Sequence, residues 1–261
     1  MSPSEAPILS SRDARGLVTL TLNRPSAFNA LSEALMTALQ RELDVIAQDE
    51  SVRVVVLAAA GKAFCAGHDL KEMRDAPSLE YYQTLFRQCA RLMVSLQRLP
   101  VPVIARVQGT ATAAGCQLVA SCDLAVAASN AKFAVSGVNL GLFCSTPGVA
   151  LSRNLGRKAA FEMLVTGDFI NAEQALHEGL INHMAAPDAL DAEVERLVAS
   201  IVAKPRVAVA LGKALFYRQL ETGIEAAYTD AAQTMACNMM DESALEGVQA
   251  FIEKRPPSWR V

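Results

Sequence analysis

Apolar and polar positions along this chain change period several times, and each period predicts an element. Leu17-Val-Thr-Leu-Thr-Leu22 alternates at period two and is rich in β-branched residues, which predicts a strand closed by Asn23-Arg-Pro25. Ser32 is a good helix cap, and Leu31, Leu35, Leu39, Leu43 and Ile46 then fall along one helical face. The run Val52–Ala59, unbroken from Val54 onward, marks a strand buried on both faces. A long helix follows over Ser78–Arg98 and is stopped by Pro100 and Pro102. Val103–Val107 and Leu124–Ala127 are further strands, separated by a stretch of small residues from Gly109 to Gly115. Strand and helix alternating in this order predict an α/β fold with a parallel sheet and crossover helices.

Beyond about residue 148 the strands thin out. Helical patterns cover 158–165, 172–178, 188–203, 205–220, 223–239 and 242–254, so the C-terminal part is expected to be helical. Met235, Met239 and Met240 beside Cys237 form a soft apolar set there, read first as core packing, with a ligand box or a subunit interface as alternatives. At the other end, Met1–Arg15 mixes Ser, Pro and charge and reads as a loose arm.

Composition narrows the class. With 261 residues and 52% hydrophobic content the chain can bury a sizeable core, either as one large α/β domain or as about 200 residues with a helical appendage. The balance of 24 basic against 27 acidic residues offers no field for a polyphosphate backbone, so nucleic acid is not expected as a partner. No apolar run approaches the ~18–20 residues that span a bilayer, and no secretory signal is expected. The six cysteines form no dense framework, which fits reduced thiols in a reducing interior. The expected compartment is a bacterial cytoplasm or, in a eukaryote, the mitochondrial matrix.

Two turns follow buried strands and could carry chemistry. The first is Ala63-Phe-Cys-Ala-Gly-His-Asp-Leu70; the second runs from Gly109 to Leu118. Loops at the carboxyl ends of parallel strands form ligand crevices, and small residues let backbone N–H groups approach a ligand. Two such turns could supply two donors to one developing oxyanion; both could equally be ordinary tight turns. Nucleotide motifs fail on spelling: the second turn is not G-x-G-x-x-G, and Gly61-Lys62 is not a P-loop. Cys65 and His68 are spaced as a conceivable thiol–imidazole pair without a third orienting residue. With only three histidines, at 68, 177 and 183, and no C-x-x-C or H-E-x-x-H, no metal is expected.

Taken together, these residues resemble the crotonase (enoyl-CoA hydratase/isomerase) superfamily. The likeness runs through Leu22-Asn-Arg-Pro25, Asn29-Ala-Leu31, Phe64–Lys71, Gly109–Asp123, Leu164-Val-Thr-Gly167, Ala175–Leu180 and Phe251–Arg255. Ala111–Asp123 and Gly141–Gly148 look characteristic of one subgroup. The resemblance implies a crotonase-like spiral of ββα units over residues 1–200 and a helical region over 201–261 that builds trimers or hexamers. It implies a coenzyme A thioester as substrate or ligand, with no separate cofactor. The family's oxyanion hole falls on the backbone N–H groups of His68 and Ala114. Substrate contacts fall on Ala66, Gly67, Asp69, Leu70, Lys71, Gly115, Ser145 and Lys254, the two lysines lying near the CoA adenine or phosphates. Asp69 can alternatively fix its turn by bonding backbone N–H groups. Ala113 and Ala114 stand where the family has glycines, a replacement expected to require φ below zero.

The chain departs from the family at the chemistry itself. The two catalytic glutamates of standard hydratases fall on Gln117 and, twenty positions later, on Gly137. An amide does not titrate near neutrality and glycine supplies only room, so efficient hydration is not expected; losing one acid–base group costs ~10²–10⁴-fold. Three outcomes stay open: a slow hydratase or isomerase using the oxyanion hole, a decarboxylase or thioesterase in which Gly137 makes space for a bulkier acyl group, and a non-catalytic acyl-CoA binder. Ser136, Asn139, Cys144, Ser145 and the His68 side chain are the candidate substitutes for the missing groups.

Overall fold

The computed structural model describes residues 6–75 and 77–259. Its elements are β1 (Ile8–Arg12), β2 (Leu17–Leu22), α1 (Glu33–Gln48), β3 (Val54–Ala59), β4 (Ala63–Cys65), α2 (Leu70–Asp75), α3 (Leu79–Arg98), β5 (Val103–Val107), β6 (Thr110–Thr112), α4 (Ala114–Ser121), β7 (Leu124–Ala128), β8 (Lys132–Ala134), α5 (Ser145–Leu151), α6 (Arg157–Thr166), β9 (Ile170–Asn171), α7 (Ala172–His177), β10 (His183–Ala185), α8 (Leu190–Val202), α9 (Arg206–Gln219), α10 (Ile224–Met239) and α11 (Glu242–Ile252). A large sheet runs in the order β1-β2-β3-β5-β7-β10, and only the β1–β2 pair in it is antiparallel. A small sheet runs β4-β6-β8-β9, with its first three strands parallel. Each large-sheet strand β3, β5 and β7 is followed within a few residues by a small-sheet strand, so the chain winds as a spiral of ββ turns.

Period two sorts β3 between two cores. Val55, Leu57 and Ala59 join the main cluster with Leu35, Leu39, Leu43, Leu92 and Leu96 of α1 and α3. Val54, Val56 and Ala58 face the opposite side, where Leu190, Val194 and Val198 of α8 cover them. The Ser32 and Ser78 side chains each accept from a first-turn N–H, at 3.1 Å in both cases, and set the starts of α1 and α3.

Two expectations fail. The segment read as a loose arm contains β1, paired from Ile8↔Leu22 to Arg12↔Val18; only Ile8 of it is buried, so this edge strand shows no hydrophobic alternation. Residues 1–5 of that arm lie outside the described residues. The methionine set is not core: Met235 and Met240 are 71% and 78% exposed. They belong to an apolar surface over α9–α11 that also carries Phe216, Leu220, Ile224, Tyr228 and Phe251.

A buried cation ties this helical region to the spiral, alongside the Arg206 bond to the Val52 carbonyl. Lys213 is the buried residue of α9. Its Nζ donates to the Leu96 and Val101 carbonyls at 2.9 Å each and to Asp123 Oδ2 at 2.6 Å, filling all three donors. Asp123 in turn accepts from the Tyr217 hydroxyl at 2.8 Å and from the Val103 N–H at 2.6 Å. Removing one partner of such a pair strands the other charge. Lys213→Ala is therefore expected to cost about 3–5 kcal/mol in a urea titration. Arg218→Ala, which breaks an exposed pair with Asp230, should cost less than about 1 kcal/mol.

Candidate functional site

The small sheet explains why three loops meet. β4, β6 and β8 are adjacent and parallel, in register at Ala63↔Thr110 and Ala111↔Phe133, so their carboxyl ends deliver three consecutive turns to one place. These are Ala66–Asp69, Ala113 with the start of α4, and a tight helical turn over Ser136–Leu140. Close approach is set by missing side chains. A Cβ on Gly115 would stand 2.1 Å from the Cys65 carbonyl oxygen, and one on Gly67 would stand 2.9 Å from the Ala113 Cβ and 3.4 Å from the Ala114 nitrogen. Gly67 also has φ +94, a conformation that side chains disfavour.

Around these turns most amides are engaged. Ala66 N–H donates to the Phe28 carbonyl at 3.0 Å, Asp69 N–H to Leu31 at 3.3 Å and Ala113 N–H to Ala134 at 2.9 Å. The His68 and Ala114 amides have no protein acceptor among the described residues. Both residues line a cavity of about 230 Å³ closed by Leu70, Met73, Phe86, Leu142, Phe143 and Pro147. A wider groove of about 930 Å³ lies over α6 and α7 and contains no residue of these turns.

The predicted site residues divide. Ala66, His68, Leu70, Ala114, Gly137 and Ser145 line the cavity, while Gly67 and Gly115 hold the backbones together behind it. Asp69 does not line it. Its carboxylate pairs with Arg24 at 3.0 Å and accepts from the Lys71 N–H at 3.2 Å, so it fixes the turn and the start of α2. Arg24 and those backbone donors hold the Asp69 carboxyl below its ordinary value, against the opposing pull of burial. Lys71 is exposed on α2, and Lys254 is exposed past the end of α11; neither lines the cavity. Gln117, only 4% exposed, opens onto a second cavity of about 280 Å³ with Gln97, Arg153 and Glu221; its Oε1 has no hydrogen-bond partner. Sequence reasoning did not find Met73 of α2, Phe86 of α3 or Leu140 in the lining, because those residues lie outside the quoted motifs.

Two local expectations are overturned, and two alternatives that the spacing left open do not form. Ala113 does not keep φ below zero: it takes φ +51 and ψ −122, a placement that costs a non-glycine residue roughly 1–3 kcal/mol. Gly137 does not leave space. A Cβ there would meet the Leu142 carbonyl oxygen at 2.4 Å and the Cys144 Sγ at 2.7 Å, since the 137–144 loop folds back on it. Cys144 is not an activated nucleophile, for burial pushes its thiol up while the Gly137 N–H, at 3.3 Å from Sγ, only partly offsets this. Nor do Cys65 and His68 pair. Burial holds the Cys65 thiol up at about 12, and neither imidazole nitrogen of His68 bonds its sulfur.

A spiral of ββ turns whose parallel small-sheet strands present two unpartnered backbone N–H groups at an apolar cavity defines a crotonase-fold protein. The sequence profile of the enoyl-CoA hydratase/isomerase family matches residues 12–261, and this chain belongs to that family. The mouse mitochondrial enoyl-CoA hydratase domain-containing protein 3 is 45% identical over 99% of this chain and 86% of its own length. The crystal structure of its human counterpart superimposes with a TM-score of 0.93 at 43% identity, over 97% of this chain and all of that one. A Mycobacterium smegmatis structure described as an enoyl-CoA hydratase reaches 0.98 at 69% identity, over 98% of this chain and 100% of that chain.

Burial pushes the His68 imidazole down to about 4, with the Leu31 backbone acting weakly the other way. The unfolded chain, with an ordinary value of about 6.5, therefore takes up a proton that the folded chain refuses. Stability should fall as pH drops from about 6.5 to 5, by about 2 kcal/mol, above the range where carboxylates titrate. Denaturation midpoints across that window should show the loss, and His68→Leu should flatten it.

Proposed function

We propose that this chain binds acyl-CoA thioesters, holds the thioester carbonyl between the His68 and Ala114 N–H groups, and stabilises the enolate that forms there. The observation that carries this reading is the pair of unpartnered amides on converging turns beside an apolar cavity. Fixed donors aimed at a developing oxyanion need no reorganisation, and one such donor is typically worth about 10²–10³ in rate. Leu70, Met73, Phe86 and Phe143 supply the apolar wall an acyl chain would need, with Ala66, Gly67, Gly115 and Ser145 near its thioester and exposed Lys71 and Lys254 available to CoA phosphates.

The reading does not include two-carboxylate hydration. Position 117 is an amide that opens onto a different cavity, and position 137 is closed to any side chain by the Leu142 carbonyl. That closure favours a second reading, an acyl-CoA binder without turnover; decarboxylase or thioesterase chemistry also fits an oxyanion hole without acid–base glutamates. Assembly into homotrimers or hexamers through α9–α11 belongs to the proposal, supported by the exposed Phe216, Ile224, Met235 and Phe251. So does residence in a bacterial cytoplasm or mitochondrial matrix, supported by the mitochondrial designation of the mouse and human relatives. No helix among the described residues is long and apolar enough to cross a membrane.

A panel of enoyl-, 3-hydroxyacyl- and malonyl-type CoA esters, read by thermal shift and by mass spectrometry of products, tests this. Acyl-CoA should stabilise the fold by RT ln(1 + [L]/Kd), about 2.7 kcal/mol at a hundredfold excess over Kd. No stabilisation by any ester at millimolar concentration would sink the proposal. Gly137→Glu, alone or with Gln117→Glu, should lower the denaturation midpoint without bringing hydratase activity, because the new Cβ overlaps the Leu142 carbonyl.

A further inference from the structure

Arg24 stands at one end of a chain of hydrogen bonds whose other end is the unpartnered His68 amide. Its Nη1 donates to the Ala30 carbonyl at 2.7 Å. The N–H of that same peptide belongs to Leu31 and donates to the Gly67 carbonyl at 2.7 Å. The N–H of the Gly67 peptide, in turn, is that of His68, which lines the cavity and has no protein acceptor among the described residues. In a planar trans peptide the C=O and N–H point in opposite directions, so a bond that grips one end aims the other. Two peptide planes therefore join the guanidinium to the His68 N–H. Leu31 and His68 form an isolated parallel bridge, closed on its other side by the Asp69 N–H, which donates to the Leu31 carbonyl at 3.3 Å. Arg24 Nη2 holds the Asp69 carboxylate at 3.0 Å, so one guanidinium grips both strands of the bridge.

The cation is itself fixed. The Arg24 N–H donates to Asn29 Oδ1 and the Arg24 carbonyl accepts from the Asn29 N–H, at 2.9 Å each. Asn29 is fully buried, and its Nδ2 donates to the Ala60 and Ala63 carbonyls at 2.8 and 2.9 Å. Phe28 and Asn29 take φ +50 and +54, so two residues other than glycine adopt the left-handed region in succession where the chain turns back. The Phe28 carbonyl then accepts from the Ala66 N–H at 3.0 Å, and the Ala30 carbonyl accepts from the Ser32 N–H at 2.9 Å as well as from Arg24.

We propose that Arg24 is a positioning residue for the His68 half of the oxyanion hole. It aims the His68 N–H through the Ala30 and Gly67 peptides, and as a fixed cation at the head of the chain it polarises both, which makes that N–H a stronger donor. This rests on the thioester reading above. Hydrogen bonds in series strengthen one another by about 10–30% each, and a charged donor makes the first of them stronger than a neutral one. Arg24 does not line the cavity, so its effect reaches a ligand through the main chain. The benefit falls on a ligand oxygen at the hole and not on the rest of the acyl group.

A pair of ligands that differ only at that oxygen tests the assignment. Butyryl-CoA carries the thioester carbonyl, and S-butyl-CoA, a thioether, has a CH₂ in its place. Titration calorimetry on the full-length protein gives both affinities. The wild type should bind the thioester about tenfold more tightly, the worth of two ordinary hydrogen bonds. Arg24→Met should bring that preference down to about threefold or less while its thioether affinity stays at the wild-type level. Arg24→Lys, which keeps the charge but not the two-pronged grip, should fall between the two, and it carries the test if Arg24→Met does not fold. A preference undiminished in the folded variants overturns the assignment. So does an equal loss of affinity for both ligands, since that is what damage to the pocket as a whole would give. A wild type that binds both ligands equally removes the oxyanion hole and this inference together, and one that binds neither removes the thioester reading itself.

Discussion

Backbone contact between the Cys65–His68 turn and the start of α4 governs everything else at this site. The Cys65 carbonyl oxygen and the Gly115 Cα face each other with no room for a Cβ, and Gly67 sits equally close to Ala113. Past the ends of β4 and β6 the Ala66 and Ala113 amides still find carbonyls, while those of His68 and Ala114 have no protein acceptor among the described residues. Buried backbone donors are normally satisfied, and two left open beside one cavity are what the proposed thioester contact rests on. The cost shows in Ala113, which holds a positive φ so that its own N–H can reach Ala134 while the next one stays free.

The chemistry follows from what this contact leaves in place and what the surrounding loops remove. The proposed oxyanion hole is made of main chain, so it constrains the backbone at His68 and Ala114 and leaves their side chains free. Acid–base groups, by contrast, are side chains. Here the 137–144 loop folds back on Gly137, with the Cys144 sulfur and the Leu142 carbonyl occupying the space a side chain there would need. Gln117 lines a different cavity, and its Oε1 is buried without a hydrogen-bond partner among the described residues. The Lys213–Asp123 contact seats α9 at the start of β5 and just past the C-terminus of α4, the ends of those elements away from the second turn.

How much of this is legible in the sequence depends on length scale. Strands of five or six residues and helices of ten to twenty carry enough positions to show a period, which is why β2, β3, α1 and α3 emerge with their caps. The small sheet is built from strands of two or three residues, below any window, although it is the sheet that aims the site. β1 escapes because its one buried residue makes no pattern. The two turns are readable from small residues after buried strands, and family likeness places the donors. What counting along the chain cannot give is which cavity Gln117 opens onto, what fills the space beside Gly137, or that Ala113 crosses to positive φ; each depends on residues distant in sequence.

The central claim is that the His68 and Ala114 amides grip one thioester oxygen. Infrared difference spectroscopy of butyryl-CoA labelled with ¹³C at its carbonyl reads that contact directly. Two charge-directed N–H donors in a dry cavity weaken the C=O bond, so the labelled band of the bound ester should move to lower frequency than that of the free ester in water. A bound ester whose carbonyl band stays at, or rises above, its free position would mean that the two amides do not hold that oxygen.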